Sequence, residues 1–178
     1  MQYLIIIDMQ NDFVTGSLGS KEAQNIIQNA VHKIQTWDGQ MIFTLDTHHE
    51  DYLQTQEGKM LPVPHCIKGT GGWRIIPEIE VLMHNEYKEL KDNIHMFAKN
   101  TFGSVEMCQW LQTYVKKGDT ITIIGLCTDI CVVSNALMIK AFLPEIPITV
   151  DTTCCAGTTI EKHDAALKTM ESCQIQIQ

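Results

Sequence analysis

Short apolar runs and longer amphipathic stretches alternate along almost the whole chain, and few architectures accept that order. Tyr3–Ile7, Met41–Leu45, Ile94–Ala98, Ile121–Ile124 and Ile148–Val150 have the length and composition of strands. Segments near Lys21–Thr36, Ser104–Lys116, Ile130–Phe142 and Ile160–Ser172 carry apolar residues at helical spacing, the last leading into Ile175-Gln176-Ile177. A repeated strand–helix–strand order packs helices on both faces of a mostly parallel sheet. The expectation is an α/β fold, a three-layer αβα sandwich with a mostly parallel central sheet. With 178 residues and 44% apolar content, the chain is long enough for one well-buried core and short for two. A single domain over 1–178 is predicted, with no repeat or low-complexity tract. His49–Gly72 lacks clear periodicity, and a loop that long in a compact domain is usually functional or disordered.

A formal charge of −8 argues against nucleic acid or an anionic membrane as partner, since both call for clustered Lys and Arg. A small molecule or a protein is the expected partner. The apolar start Met1–Ile7 is ended by Asp8 and has no basic segment before it, so it reads as neither a signal peptide nor a spanning helix. The expected location is the cytoplasm. There, seven cysteines without paired C-x-x-C spacing read as reduced thiols, most of them in the core.

Four polar residues fall at one place in this pattern. Asp8 follows the first strand, Asp46 the second and Lys99 the third, while Cys131 comes just beyond Ile121–Ile124 in Gly125-Leu126-Cys127-Thr128-Asp129-Ile130-Cys131. Singly, each has an ordinary reading: turn or cap residues, a solvated lysine, a buried cysteine. Together they lie at the carboxyl ends of parallel strands, where open α/β sheets bind ligands. A thiol in a strand-to-helix turn also sits near unpaired backbone N–H groups and the positive end of a helix, which favour a thiolate. Because a free thiol is only a few per cent ionised at neutral pH, it needs a base or a cation nearby. Asp8 and Lys99 supply one of each.

Asp8-Met9-Gln10-Asn11-Asp12-Phe13, Lys99 before Asn100-Thr101-Phe102, and Gly125–Val132 together resemble the isochorismatase-like cysteine hydrolases, in particular their nicotinamidase/pyrazinamidase branch. The resemblance implies a catalytic triad of Asp8, Lys99 and Cys131, with a cis peptide at Leu126–Cys127. It also implies an oxyanion hole from the backbone N–H groups of Cys127 and Cys131, and an amidase that passes through a cysteine thioester.

Asp46-x-His48 and the later His65, held between prolines and Cys66, form a second constellation within a loop at about 46–73. By spacing alone these are either exposed polar residues or ligands to one divalent ion, and a carboxylate with imidazoles suits zinc, iron or manganese. The resemblance makes Asp46, His48 and His65 metal ligands and adds Glu57, in Glu57-Gly58-Lys59, as a fourth, with zinc the first choice. Asp46-Thr47-His48-His49 departs from the Asp-Trp-His-Pro of many family members and leaves His49 as a rival to His48. Phe13, Phe97 and Phe102 are candidates to hold a flat ring, with core packing the competing reading for Phe97. Trp73 either closes the pocket or anchors the loop.

The resulting expectation is a metal-dependent nicotinamidase serving NAD salvage. The alternatives are a related cysteine amidase for another small amide or ureido compound and, outside enzymes, a redox-sensing protein that pairs Cys127 with Cys131. The family also implies homo-oligomers.

Overall fold

The computed structural model describes residues 1–85 and 94–178. Its strands are β1 (Gln2–Ile7), β2 (Gln40–Asp46), β3 (Ile94–Lys99), β4 (Thr120–Leu126), β5 (Ile148–Ala156) and β6 (Gln176–Ile177). The helices are α1 (Asn11–Val14), α2 (Lys21–Asn25), α3 (Ile27–Gln35), α4 (Gln56–Met60), α5 (Pro77–Asn85), α6 (Val105–Tyr114), α7 (Val133–Phe142) and α8 (Ile160–Ser172). The strands form one sheet in the order β3-β2-β1-β4-β5-β6, with every pairing parallel. The chain starts in the middle, builds outward through β2 and β3, and then crosses to the other side of β1. That reversal between β1 and β4 is a topological switch point, where a crevice opens beyond the strand ends.

Strand alternation sends β1 residues to two separate cores. Tyr3, Ile5 and Ile7 pack with Met107 and Leu111 of α6, Ala136 and Ile139 of α7, and Met170 of α8. Leu4 and Ile6 pack with Ala23 of α2, Ala30 and Ile34 of α3, and Ile79 and Leu82 of α5. The sheet is therefore the middle of three layers, as the apolar runs predict. Ser20, Thr55, Ser104 and Thr159 cap α2, α4, α6 and α8, each side chain accepting a backbone N–H three residues on.

Besides the short α1 and α4, which no pattern predicted, three further elements differ from the sequence expectation. The segment near Lys21–Thr36 is two helices, broken at Ile26, whose ψ of −10° is too shallow for a continuous α-helix. β5 runs on to Ala156, past polar residues that seemed to end it, because Gly125 and Leu126 pair with Cys155 and Ala156 beyond an irregularity in the ladder. α5 lay in a stretch with no predicted element. Its signals are Pro77 at the first helical position and Glu78 and Glu80 in the first turn.

Candidate active site

Asp8 is the first residue past β1 and has a φ of 48°, a left-handed conformation that Asp enters more readily than most residues. Thr44 of β2 fixes it from both sides. The Thr44 hydroxyl donates to Asp8 Oδ1 at 2.6 Å, while Asp8 N–H lies 3.2 Å from that hydroxyl oxygen and 3.3 Å from the Thr44 carbonyl. Asp46 and Lys99 end β2 and β3 and lie opposite each other in the ladder. From there Lys99 Nζ reaches Asp8 Oδ2 at 2.6 Å, Cys131 Sγ at 3.4 Å and Asp46 Oδ1 at 3.5 Å. All four residues are buried.

Burial sets the electrostatics. It raises the pKa of Asp8 against the opposing pull of Lys99, and Asp46 adds to the rise. It also pushes the Cys131 thiol well above its ordinary value, with Asp8 adding to the rise and Lys99 opposing it. For Lys99 burial favours the neutral form, but Asp8, Cys131 and Asp46 outweigh it and hold the ammonium charged. The arrangement thus places a neutral thiol beside a fixed cation and a carboxylate whose basicity is strengthened.

Cys131 lies in a short π-helical turn, Thr128–Val132, that leads from β4 into α7, and the Leu126–Cys127 peptide is cis. Gly125 makes this turn possible. Its φ is +121°, and a side chain there would collide with the backbone of Ile7 on the neighbouring strand. The turn is tied down from two directions. Asp129 accepts from the N–H and hydroxyl of Thr158 at 2.7 and 2.6 Å, and Thr128 Oγ1 lies 2.9 Å from His163 Nδ1. All seven cysteines are unpaired, and burial pushes the Cys127 thiol up to about 12.

Asp46, His48 and His65 converge with their ligand atoms within 4.8 Å of one another, all three buried. His48 Nε2 and His65 Nε2 lie 3.0 and 3.4 Å from Asp46 Oδ2, and 3.7 and 3.8 Å from Glu57 Oε1 on α4. His65 Nδ1 is 2.8 Å from the Val63 carbonyl, which fixes the ring's proton on that nitrogen and leaves the Nε2 lone pair facing the cluster. His48 Nε2 is fully enclosed and, although 3.0 Å from Asp46 Oδ2, makes no well-aligned hydrogen bond among the described residues. An enclosed nitrogen without an aligned hydrogen bond, facing a carboxylate and a second imidazole, fits a divalent cation. Burial raises the Asp46 pKa, but the two imidazoles and Lys99 outweigh it and keep the carboxylate ionised. His49 is exposed and stands outside the cluster.

A cleft of about 780 Å³ opens over both groups. Phe13 and Phe102 line it together with Tyr52, Leu61, Ile130 and Cys131. Phe97 does not line it: its side chain packs in the core beside Trp110 of α6, with ring centroids 6.2 Å apart, so of its two readings the structure favours packing over ring binding. Trp73 anchors the loop, its Nε1–H donating to Thr47 Oγ1 at 2.9 Å.

Residues given no role by the sequence reading hold this geometry. Gln10, fully buried, grips the backbone of Asp46, accepting from its N–H at 2.7 Å and donating to its carbonyl at 2.9 Å. Asn135 donates to the carbonyls of Cys131 at 2.8 Å and Phe102 at 3.1 Å while accepting from Ser104 N–H, joining the thiol's turn to the cleft wall. Tyr52 packs on both imidazoles, at 4.6 and 5.0 Å. For Asn135 the only sequence signal was a polar amide on an apolar face, and for Gln10 its place in the Asp8–Phe13 motif.

Residues 2–178 match the family described as Isochorismatase domain. An isochorismatase family protein of Bacillus subtilis is 28% identical over 171 residues, covering 92% of this chain and 91% of the relative. The structure of a pyrazinamidase/nicotinamidase from Streptococcus mutans superposes with a TM-score of 0.83 over 100% of both chains, at 26% identity. A pyrazinamidase of Pyrococcus horikoshii, solved in complex with zinc, shares the fold, with a TM-score of 0.76 at 22% identity over 99% of this chain and 98% of that one.

Proposed function

The chain belongs to the isochorismatase family, and from that premise we propose that it is a nicotinamidase, converting nicotinamide to nicotinate and ammonia for NAD salvage in the cytoplasm. One observation carries the reading: a single lysine nitrogen, Lys99 Nζ, touches a thiol, a candidate base and the carboxylate of the metal cluster. Nicotinamide offers a carboxamide for the first two and a ring nitrogen for a divalent ion that the cluster of the third would hold.

In the proposed reaction Asp8 takes the Cys131 proton as the sulfur bonds to the amide carbon, and Lys99 stabilises the charge on both partners. The oxygen of the tetrahedral intermediate is met by the backbone N–H groups of Cys127 and Cys131, donors worth about 2.7–4 kcal/mol each in comparable sites. Asp8 then gives its proton to the departing nitrogen, releasing ammonia and leaving a thioester. Water loses a proton to Asp8 as it attacks the thioester carbon, and the Cys131 thiolate leaves with nicotinate formed and is reprotonated by Asp8. Asp46, His48, His65 and Glu57 would hold one divalent ion, with zinc first among the candidates in view of the Pyrococcus horikoshii relative. When bound, such an ion supplies a Lewis-acidic docking point for a pyridine nitrogen. Phe13 and Phe102 flank the place where the ring would lie.

The cleft supports a second substrate reading within the same chemistry, since about 780 Å³ is more than a one-ring amide fills. Ammonia release from nicotinamide by the metal-loaded protein tests the first. Wild-type turnover that falls by about 10⁴-fold or more in Cys131→Ala is the expected result. No release by metal-loaded wild type would exclude nicotinamide and favour another small amide.

A further inference from the structure

We infer that Asp12 is a positioning residue for the metal cluster, holding both histidines through the backbone of Cys66. The inference rests on the metal reading above. Cys66 is fully buried at a φ of 47°, a left-handed conformation that a residue with a side chain keeps only where its surroundings fix it. Its N–H donates to Asp12 Oδ2 at 2.8 Å, and its carbonyl accepts from His48 N–H at 3.0 Å. One residue therefore carries a ligand on either side: His65 precedes it in the chain, and His48 hangs from its carbonyl. The His48 carbonyl accepts in turn from Lys68 N–H at 2.9 Å, completing a short parallel bridge between His48 and Ile67. These bonds run through the backbone and leave the Nε2 atoms of both imidazoles to the cluster.

The Asp12 carboxylate is itself confined. Ser17 N–H donates to Oδ1 at 3.3 Å, and Asp12 N–H donates to the Gly72 carbonyl at 3.0 Å. A side chain on Gly72 would collide with the carboxylate, so the returning loop passes Asp12 with the one residue that lacks a Cβ. The two residues before Asp12 grip the same stretch: Asn11 Nδ2 donates to the Gly71 carbonyl at 2.8 Å and Gln10 Nε2 to the Trp73 carbonyl at 2.7 Å. Loss of an outer partner that orients metal ligands lowers metal affinity by about 10–100-fold.

The test is zinc binding by metal-free full-length protein, measured by competition with a chromophoric chelator, with circular dichroism of each apo form as the fold control. Asp12→Ala and Gly72→Ala are both expected to bind zinc about 10–100-fold more weakly than wild type while remaining folded. Gly72→Ala keeps the negative charge and displaces it, which separates position from charge. Asp12→Asn retains an acceptor oxygen for Cys66 N–H and is expected to recover part of the loss. Wild-type affinity in the folded Asp12→Ala or Gly72→Ala protein overturns the inference. If Asp12→Ala does not fold, Gly72→Ala decides by the same criterion. A wild type that binds no zinc overturns the metal reading together with this inference, whereas wild-type binding with unaffected variants overturns the inference alone.

Discussion

Lys99 keeps its charge in a buried site because Asp8, Cys131 and Asp46 surround it, and the titration of Asp8 sets the acid limit of the proposed reaction. Burial raises the Asp8 pKa, Lys99 opposes the rise, and Asp46 adds to it. Asp8 accepts a proton only when ionised, so activity is lost as pH falls through this raised value. The acid limb of kcat/KM is therefore expected above pH 3.8, the ordinary aspartate value, and a pH–rate profile of the free enzyme reads it directly. A limb at or below that pH would remove Asp8 as the base. At this scale the sequence carried much of the site. Asp8, Asp46, Lys99 and Cys131 were each visible as a polar residue where an apolar run stops. The roles of Gln10, Thr44 and Asn135 were not, because the bonds joining Gln10 to Asp46, Thr44 to Asp8 and Asn135 to Ser104 each span 31 or more positions and no local pattern encodes such pairing.

Among the elements, β5 shows why some boundaries could be read and others could not. Asp151 looked like a strand end, yet it is buried within β5 and paired with Lys33 of α3 at 2.7 Å. Burial raises its pKa, but Lys33 and Thr153 outweigh burial and the net shift is downward. A carboxylate with a lowered folded-state pKa adds stability above its unfolded value, about 3.9, and loses that contribution as pH falls through the folded value. Lys33→Met is thus expected to cost about 0.5–1 kcal/mol at pH 7, with the deficit shrinking below about pH 4. Urea denaturation at the two pH values measures both. The apolar runs of β1, β2 and β4 were legible because their burial on both faces leaves a continuous signal. The loop that brings His65 to His48 was legible only as an irregular stretch, since α4, the turn at Tyr52–Gln54 and the bridge at Ile67 depend on contacts made across it.

Across the whole molecule, no helix among the described residues is long and apolar enough to cross a membrane, and a charge of −8 offers no attraction to a polyanion. A small neutral amide needs neither. Zinc at a thousand times its Kd is expected to stabilise the fold by about 4 kcal/mol, or roughly 8–16 °C in Tm for a chain of this size. A thermal melt with and without chelator measures it, and an unchanged Tm counts against a metal that binds the folded state. The four groups Asp8, Asp46, Lys99 and Cys131 lie at or just beyond the ends of β1, β2, β3 and β4, which stand side by side in the sheet. Since a slip of one residue in any of these pairings turns that strand's side chains to the opposite face, a mispaired strand carries its group away from the other three. Catalysis then serves as an assay of threading: the specific activity of a refolded sample counts the molecules in which three strand pairings have all formed in register.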